Sequence, residues 1–499
     1  MAAMRPIFAL LLPLLAVASF AAEPEFPITE DSKPQAGVAK GTMIKETYTA
    51  DMNSVFPGTQ REYQIYLPAG HDAAKPAAFM VFQDGVIYQA PVAFDNLIAK
   101  KDIPPLVGIF IRPGVVPAVN DNALPRFNRS YEYDSVTDEY SKFLINEFLP
   151  AIEAKHKLKL SADPNHAAIS GNSSGGICAF MVAWHRPDRF RRVFTGVGTY
   201  VGIHGADQLP VWVRKFEPKP IRVFLQSGTG DNNLYCGDWW MANQMMERSL
   251  SWAGYEVNHA WGEGGHNGKH ATQIFPEVLR WLWKDWQTSM EVKANVKGEG
   301  KWRGNEMVGA GEWQETDIKA GPFLDVTADG VVKATDKANA RTVNHQGVAF
   351  DQIQGLSAPY FSTLTPDQTQ LYTIMPGASH ILAVKVTPEG KTSLPQLFVQ
   401  LESKAEARTG PQMQSASGLC VDTNGWLYVA TDLGIQVCDQ AGRVNFIIPT
   451  PERPYDVCFG GKDLNELHIT SGVKIYKRAT KARGMAPGQP PVKPAAPKL

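Results

Sequence analysis

One serine of this chain has a sequence context that could make its hydroxyl reactive. Residues 168–176 read Ala-Ile-Ser-Gly-Asn-Ser-Ser-Gly-Gly, with glycines two positions before and two positions after Ser173. This Gly-x-Ser-x-Gly spacing is typical of a nucleophile elbow, a sharp strand-to-helix turn that exposes a serine. Ser174 would need a glycine where Asn172 stands, so the pattern indicates Ser173. Since the chain has 43 glycines, the pattern alone is weak and needs an acid and a base to support it.

A serine hydroxyl is a weak nucleophile until a histidine takes its proton and an acid orients that histidine. The candidate acid is Asp231, in a glycine-rich loop after an apolar strand, and the candidate base is His266, after a Gly-Glu-Gly-Gly run. The chain order Ser173, Asp231, His266 is that of α/β-hydrolases. Asp238 remains an alternative acid, and His270 an alternative base.

An acyl-transfer site also needs backbone amides that bind the developing oxyanion. The amide of Ser174 follows the candidate nucleophile at the start of a helix. A second amide is expected from the loop after the apolar strand that ends in Phe-Gln-Asp, where Gly85 allows close backbone approach and Val86 is equally suitable.

Residues 126–134, Arg-Phe-Asn-Arg-Ser-Tyr-Glu-Tyr-Asp, place charged and aromatic side chains ahead of a predicted helix. Arg129 and Glu132 are candidate substrate-binding residues at the mouth of the site. An internal charge network that fixes this loop explains the same residues equally well.

The elements that would position these residues alternate between strands and helices over about 250 residues. This alternation predicts a mostly parallel sheet with helices on both faces at 41–287, an α/β-hydrolase fold. Apolar runs predict strands, and apolar residues at helical spacing predict helices. The strands are expected at 61–67, 77–83, 106–112, 166–170, 193–197, 221–226 and 257–261, and the helices at 134–153, 174–184, 239–253 and 272–286.

Helical periodicity ends after residue 287, and a loose unit recurs in which an Asp or Asn turn leads into an apolar strand. Four turns anchor it, at Asp329, Asp367, Asn424 and Asp463, and their spacings are 38, 57 and 39 residues. Two of these spacings fit a four-stranded propeller blade. We therefore expect an all-β, partial or small β-propeller at 306–480, with a β-sandwich as the alternative.

Length and composition restrict the remaining possibilities. A chain of 499 residues exceeds one hydrophobic core, which predicts two domains. A net charge of −1 gives no field to recruit nucleic acid or an anionic membrane. Residues 1–22 have the basic start, short apolar run and small-residue end of an export signal, which predicts a periplasmic or secreted protein. A flexible leader is expected at 23–40, a linker at 288–305 and a Pro-rich tail at 481–499.

Residues 41–287 resemble the esterase family that includes enterochelin (ferric siderophore) esterases and carbohydrate feruloyl and acetyl esterases. The matching segments are Phe-Gln-Asp-Gly at 82–85, Asn-Arg-Ser-Tyr-Glu-Tyr at 128–133, Gly-Asn-Ser-Ser-Gly-Gly at 171–176, Gly-Asp at 230–231 and Gly-Gly-His at 264–266. The resemblance implies a serine carboxylesterase that needs no metal and no cofactor, with Ser173, Asp231 and His266 as nucleophile, acid and base.

Residues from about 300 to 480 resemble the gluconolactonase/regucalcin propellers, above all at 417–430 and 453–461. Lactonases of that family hold a divalent cation with a Glu, an Asn and an Asp. The corresponding positions here are Ala320, Tyr360 and Ser417. The substitutions predict a propeller without lactonase chemistry, which docks a glycan or a protein or orients a substrate.

The sequence therefore predicts an exported serine esterase that acts through an acyl-enzyme. Expected substrates are small-molecule or oligosaccharide esters, namely acylated carbohydrate, aromatic (feruloyl-type) or siderophore esters. Two alternatives remain: a metal-dependent sugar lactonase, and a non-catalytic binding protein on a hydrolase scaffold.

Overall fold

The N-terminal part of the chain folds around one large β-sheet. The structure is a computed structural model that describes residues 25–292, 300–338, 342–350, 352–357, 361–375, 377–403 and 416–497. The predicted export signal lies outside the described residues. The strands of this part are β1 (Thr42–Thr49), β2 (Gln60–Leu67), β3 (Ala78–Gln83), β4 (Leu106–Ile111), β5 (Val115–Val116), β6 (Arg126–Phe127), β7 (Ala167–Asn172), β8 (Arg192–Gly196), β9 (Arg222–Gly230), β10 (Asn233–Leu234), β11 (Gly237–Asp238) and β12 (Glu256–Gly265).

Helices cover both faces of this sheet. Those on one face are α1 and α8, whose apolar side chains share a core with the sheet, and the others pack on the opposite face. The helices are α1 (Ala90–Ala99), α2 (Arg129–Tyr133), α3 (Glu139–Phe143), α4 (Leu149–His156), α5 (Ser174–His185), α6 (Leu209–Lys215), α7 (Trp239–Ala253) and α8 (Lys269–Leu282).

The sheet has ten strands in the order β12-β9-β8-β7-β3-β4-β2-β5-β6, with β1 paired to β2. The six strands from β12 to β4 run parallel, and β2 joins them antiparallel. β4 and β8 are buried along their whole length, because strands covered on both faces are apolar throughout. The predicted mostly parallel α/β architecture is confirmed.

The helix predicted at 134–153 begins later than expected. Asp134 follows the short helix α2, and its carboxylate accepts a hydrogen bond from the Ser130 hydroxyl at 2.6 Å. The helix starts instead at Glu139 and passes through a π-helical turn at Leu144–Phe148 before α4. The prediction began this helix one loop too early, because an Asp can follow one helix as well as precede another.

In the residues that the structure describes, the C-terminal part is built of strands, apart from a 3₁₀ helix at Arg303–Glu306. The strands are β13 (Gln314–Glu315), β14 (Phe323–Val326), β15 (Val332–Thr335), β16 (Phe361–Leu364), β17 (Gln370–Ile374), β18 (His380–Lys385), β19 (Gln396–Gln400), β20 (Leu419–Val421), β21 (Leu427–Thr431), β22 (Gly434–Cys438), β23 (Val444–Ile448), β24 (Asp456–Gly460), β25 (Glu466–Thr470) and β26 (Ile475–Ala479).

These strands form a small propeller. Three antiparallel sheets have four strands each, in the orders β16-β17-β18-β19, β20-β21-β22-β23 and β13-β26-β25-β24, and β14-β15 is a hairpin. β13 precedes the other strands in the chain yet pairs with β26, which closes the last blade across both ends of the region. The first strands of neighbouring blades contact one another, and the rings of Phe323 and Phe361 lie 5.7 Å apart where the first blade meets the second. The predicted all-β, small propeller is confirmed.

The four anchor turns take equivalent places in the propeller. Asp329, Asp367, Asn424 and Asp463 each lie in the connection between the first and second strands of a sheet. The long spacing between the second and third anchors includes residues 401–418, the connection from β19 to β20.

Both terminal segments make specific contacts. Asp31 forms ion pairs with Lys100 and with Arg280, whose Nη2 lies 2.6 Å away. At the other end, the amide of Val492 donates to Pro366 O at 2.8 Å. The predictions of a flexible leader and a Pro-rich tail do not account for these contacts.

The two parts of the chain pack directly on each other. Phe216, between α6 and β9, forms a parallel β-bridge with Ile447 of β23. Glu217 and Arg478 form a buried ion pair across the boundary, with N–O distances of 2.7 and 2.8 Å. The propeller therefore lies against the residues that precede β9, at the amino ends of the parallel strands.

Candidate active site

Ser173 sits in a strained turn between β7 and α5. Its backbone has φ 56° and ψ −123°, a conformation that non-glycine residues adopt at a cost of about 1–3 kcal/mol when the surroundings enforce it. A Cβ at Gly171 would lie 2.4 Å from the backbone of Gly175. The flanking glycines thus let the strand and the helix approach closely, as the sequence pattern predicts.

A continuous hydrogen-bonded chain links the three side chains that the motifs indicated. His266 Nε2 lies 2.8 Å from Ser173 Oγ, and His266 Nδ1 lies 2.6 Å from Asp231 Oδ1. Each residue follows or ends a parallel strand at its carboxyl end, on β7, β9 or β12. The arrangement can accept the serine proton on Nε2 while the carboxylate holds the Nδ1 proton.

Further contacts fix the carboxylate and the imidazole. Asp231 Oδ2 accepts the Ser227 hydroxyl at 2.6 Å, and Oδ1 accepts the Asn232 amide at 2.8 Å. The Asp231 side chain is fully buried, whereas His266 is one-fifth exposed. The ring of Trp239 meets the His266 ring edge-to-face at 5.4 Å. The carboxylate is therefore shielded from water while the imidazole remains accessible.

The alternative acid and base occupy other places. Asp238 caps α7 and accepts the Met241 amide at 3.0 Å. His270 Nδ1 lies 3.2 Å from Gln226 Nε2, and its ring stacks on Phe26 at 4.7 Å. Burial lowers the pKa of His270. Neither residue joins the chain of hydrogen bonds at Ser173.

One of the two predicted oxyanion donors is wrong. The Gly85 amide donates to Ile111 O at 3.1 Å, on the neighbouring strand, so it is not available to a substrate oxygen. Val86, the next residue, makes no backbone hydrogen bond within the described chain and is 40% exposed. Ser174 is the first residue of α5, a position whose amide has no partner inside the helix. Ser174 and Val86 remain the candidate oxyanion donors.

Arg129 connects the two loops that carry these amides. Its Nε and Nη2 donate to the two carboxylate oxygens of Asp84 at 2.7 and 2.9 Å. Its Nη1 donates to Ser174 Oγ at 3.0 Å. Asp84 itself has φ 66°, so the loop after β3 is held in a conformation that needs support. Arg129 lies beside the candidate site with its donors directed to protein groups, and its predicted role in substrate binding stays a prediction.

Glu132 does not lie at the substrate mouth, contrary to the prediction of a substrate-binding residue. Its carboxylate is fully buried and pairs with Arg61 at 2.9 and 3.1 Å. It also accepts the Gly114 amide at 3.1 Å. The charged loop is an internal network at this residue, which was the alternative interpretation.

Sequence reasoning missed Thr199. Its hydroxyl lies 3.3 Å from Ser173 Oγ and accepts a hydrogen bond from Trp239 Nε1 at 3.3 Å. Thr199 follows β8 in a Gly-rich connection, and no motif surrounds it. Only the neighbouring positions of β7 and β8 in the sheet bring the two hydroxyls together.

Two of the three positions that correspond to lactonase metal ligands can be described. Ala320 has no ligating atom, and Ser417 is a buried serine that ends the connection into β20. Tyr360 lies outside the described residues. Among the residues that the structure describes, no three His, Cys, Asp or Glu side chains cluster as a metal site would require.

Comparison with protein families assigns both parts of the chain. Residues 54–232 match the family described as "Putative esterase", and residues 327–473 match the "SMP-30/Gluconolactonase/LRE-like region". The chain joins an esterase-family segment to a gluconolactonase-like segment. The esterase match includes Ser173 and Asp231 and ends before His266.

Individual relatives are distant. An iron(III) enterobactin esterase from Dickeya dadantii is 28% identical over 152 residues, which are 28% of this chain and 33% of that protein. The chain thus matches about a third of the length of this relative. Among solved structures, an enterobactin esterase from Shigella flexneri is 19% identical with a TM-score of 0.39, covering 51% of this chain and 62% of its own. A ferulic acid esterase from Anaeromyces mucronatus is 17% identical with a TM-score of 0.38, covering 52% and 98%.

No helix among the described residues has the length and apolar character that crossing a bilayer requires.

Proposed function

We propose that this protein is an exported serine carboxylic-ester hydrolase. The observation that carries the proposal is the unbroken hydrogen-bonded chain from Asp231 through His266 to Ser173. Its position at the carboxyl ends of parallel strands is where α/β enzymes build their sites. The match of residues 54–232 to an esterase family supports the same reaction class.

In the proposed reaction, Ser173 Oγ attacks the ester carbonyl as its proton passes to His266 Nε2. The amides of Ser174 and Val86 stabilise the tetrahedral oxyanion. The protonated imidazole then gives its proton to the alcohol oxygen as the ester bond breaks and the alcohol departs. The acyl group remains bound to Ser173. Water, deprotonated by His266, attacks this acyl-enzyme. The bond between the acyl carbon and Ser173 Oγ then breaks, Oγ takes the proton back from His266, and the carboxylic acid is released.

The proposed substrates are acylated carbohydrate, aromatic or siderophore esters. The D. dadantii relative, named an iron(III) enterobactin esterase, supports the siderophore class. The hairpin β10–β11 begins two residues after Asp231, and Leu234 and Tyr235 in it are 53% and 97% exposed. Such side chains offer an apolar surface near the site, which favours a substrate with an aromatic group.

The propeller contacts the amino ends of the strands, whereas Ser173 lies at a carboxyl end. We therefore assign the propeller to docking of a glycan or a protein rather than to orienting the ester. Glycan-array binding by the full chain with Ser173→Ala would test this role separately from hydrolysis.

The decisive experiment for the reaction class is labelling with a fluorophosphonate probe, read by peptide mass spectrometry. We expect one adduct on Ser173 in the folded chain and none in Ser173→Ala. Absence of an adduct in the folded wild type would favour a binding protein on a hydrolase scaffold. Hydrolysis of a sugar lactone that a chelator abolishes, with no ester turnover, would favour the lactonase alternative.

A further inference from the structure

A cleft of about 590 Å³ lies between the two parts of the chain. On the hydrolase side it is lined by the end of α5 and by the residues that precede β8 and β9. On the propeller side it is lined by Trp313 and residues 449–451. Ligand sites commonly have volumes of about 300–1,000 Å³ and occur between domains.

This cleft is separate from the candidate active site. The nucleophile elbow is at the amino end of α5, and the cleft is at its carboxyl end. Twelve residues of helix span about 18 Å. A ligand in the cleft would therefore not contact Ser173.

The inner wall of the cleft is electrically neutral. Glu217 and Arg478 line it and pair through two hydrogen bonds, with side chains only 8% and 1% exposed. Asp188 also lines the cleft, and its carboxylate is held by Arg186 at 2.8 Å. These two carboxylates are compensated by the protein's own guanidinium groups, and Glu312, the remaining carboxylate of the lining, is exposed to solvent on the propeller side.

Two cations at the cleft have no carboxylate within ion-pair distance in the described part of the chain. Arg191 donates to Pro187 O at 3.2 Å and to the side-chain oxygen of Asn165 at 3.3 Å, both neutral acceptors. Lys219 Nζ donates to Trp184 O at 2.6 Å and lies 4.2 Å from the centre of the Trp184 ring. Partly buried cations with only neutral partners favour an anion in the adjoining space.

The remaining walls are flat and apolar. Trp313 lines the propeller side, and its indole N–H donates to Pro449 O at 2.7 Å, which fixes the ring. Pro220 lines the hydrolase side. Fixed aromatic and proline surfaces suit a planar apolar body.

We propose that this cleft binds a small aromatic carboxylate. Its carboxylate group is held by Arg191 and Lys219, and its ring lies against Trp313 and the prolines. Arg is suited to carboxylates because its planar donors match the two oxygens. The proposal is independent of the esterase assignment, since none of these residues belongs to the chain of hydrogen bonds at Ser173.

The test is calorimetric titration of the full-length chain with benzoate. Arg191→Gln and Lys219→Gln should each weaken binding about tenfold or more, and Trp313→Leu should weaken it several-fold. Benzamide, which has the same shape without the charge, should bind at least about tenfold more weakly than benzoate. Lys385→Gln, which removes an exposed lysine of β18 in a blade that does not line the cleft, should leave affinity unchanged.

The pH dependence gives a readout that a purely structural role of Lys219 would not produce. Burial of the ammonium lowers the pKa of Lys219 to about 7, so the group loses its charge as pH rises through neutrality. Benzoate affinity should fall from pH 6 to pH 8.5, and Lys219→Gln should flatten this dependence. The other charged or titratable groups around Lys219 in the cleft are Glu217, Arg478, Arg191, His185, Asp188, Glu312 and Tyr255.

Three results would overturn the proposal. The first is that the wild type shows no detectable benzoate binding between pH 6 and pH 8.5. The second is that benzoate and benzamide bind with equal affinity. The third is that benzoate affinity survives in Arg191→Gln and in Lys219→Gln but is lost in Arg129→Gln. That result would place benzoate at the candidate active site. If Arg191→Gln fails to fold, Lys219→Gln and Trp313→Leu decide the outcome.

Discussion

Removal of the Arg129 side chain should slow the chemical step while leaving substrate binding nearly intact. Arg129 joins Asp84, two residues before the Val86 amide, to Ser174, whose amide is the other proposed oxyanion donor. In Arg129→Gln the two donors lose their common support. Because the tetrahedral oxyanion needs both amides at hydrogen-bond distance, the loss falls on the transition state more than on the bound ester.

The expected magnitude follows from the geometry. Loss of one oxyanion donor costs about 10²–10³ in kcat, and displacement of a donor should be at the lower end of that range. We expect kcat to fall about 10²-fold, equivalent to about 2.7 kcal/mol, with KM changed by less than about threefold. Stability should change by about 1 kcal/mol or less, since the Arg129 and Asp84 side chains are 38% and 25% exposed.

The assay is steady-state hydrolysis of p-nitrophenyl acetate, with thermal unfolding as the measure of stability. Arg126→Gln is the matched control, because Arg126 is an exposed arginine of β6, three residues earlier, whose Nε donates to Asn128 Oδ1 at 3.1 Å. It should retain kcat within about threefold of the wild type. Full kcat in Arg129→Gln, or a large rise in KM at unchanged kcat, would refute the positioning role of this arginine.

Three further changes test other parts of the account. Asp231→Asn should lower kcat by about 10⁴-fold with little change in fold, because His266 loses the partner that sets its tautomer. The hydrolysis of p-nitrophenyl acetate measures this loss, and a fall of only tenfold would contradict the prediction. Glu217→Gln should lower the free energy of unfolding in urea by about 3–5 kcal/mol, since it leaves Arg478 buried without its counter-charge, and an unchanged midpoint would count against it. Burial raises the pKa of Asp422 to about 6 from an ordinary 3.8, so the folded chain binds this proton more tightly than the unfolded chain, and the stability that Asp422 contributes at about pH 4 is lost as pH rises to about 6. Asp422→Asn lacks this loss, so its free energy of unfolding in urea should improve relative to the wild type from about pH 4 to pH 6, and a difference that does not change with pH would refute the assignment.

The parts of the site that follow from local patterns were predictable from the sequence. The elbow at Ser173 depends on glycines within two residues, and Asp231 and His266 each follow an apolar strand in a glycine-rich loop. The helix at 239–253 and the strands of the parallel sheet depend on apolar periodicity and agree with the structure to within a few residues, apart from longer ends on β9 and β12.

The errors concern partners that lie far away in the chain. The loop position of Gly85 makes its amide a reasonable candidate for an oxyanion donor. The amide donates instead to a carbonyl on β4, and only the pairing of the strands determines this contact. From the sequence, Glu132 fits a substrate-binding role and an internal charge network equally well. Its partner Arg61, which decides between them, lies 71 residues earlier in the chain. The Thr199 hydroxyl and the contact between Glu217 and Arg478 have no local sequence signal at all.

The central claim is that Ser173 is the nucleophile of an ester hydrolase. The most direct measurement is kcat/KM for p-nitrophenyl acetate in Ser173→Ala, with Ser251→Ala, which removes an exposed hydroxyl of α7, as the control. We expect a fall of at least about 10³-fold for Ser173→Ala and less than about threefold for Ser251→Ala. Retention of most of the wild-type activity in Ser173→Ala would contradict it.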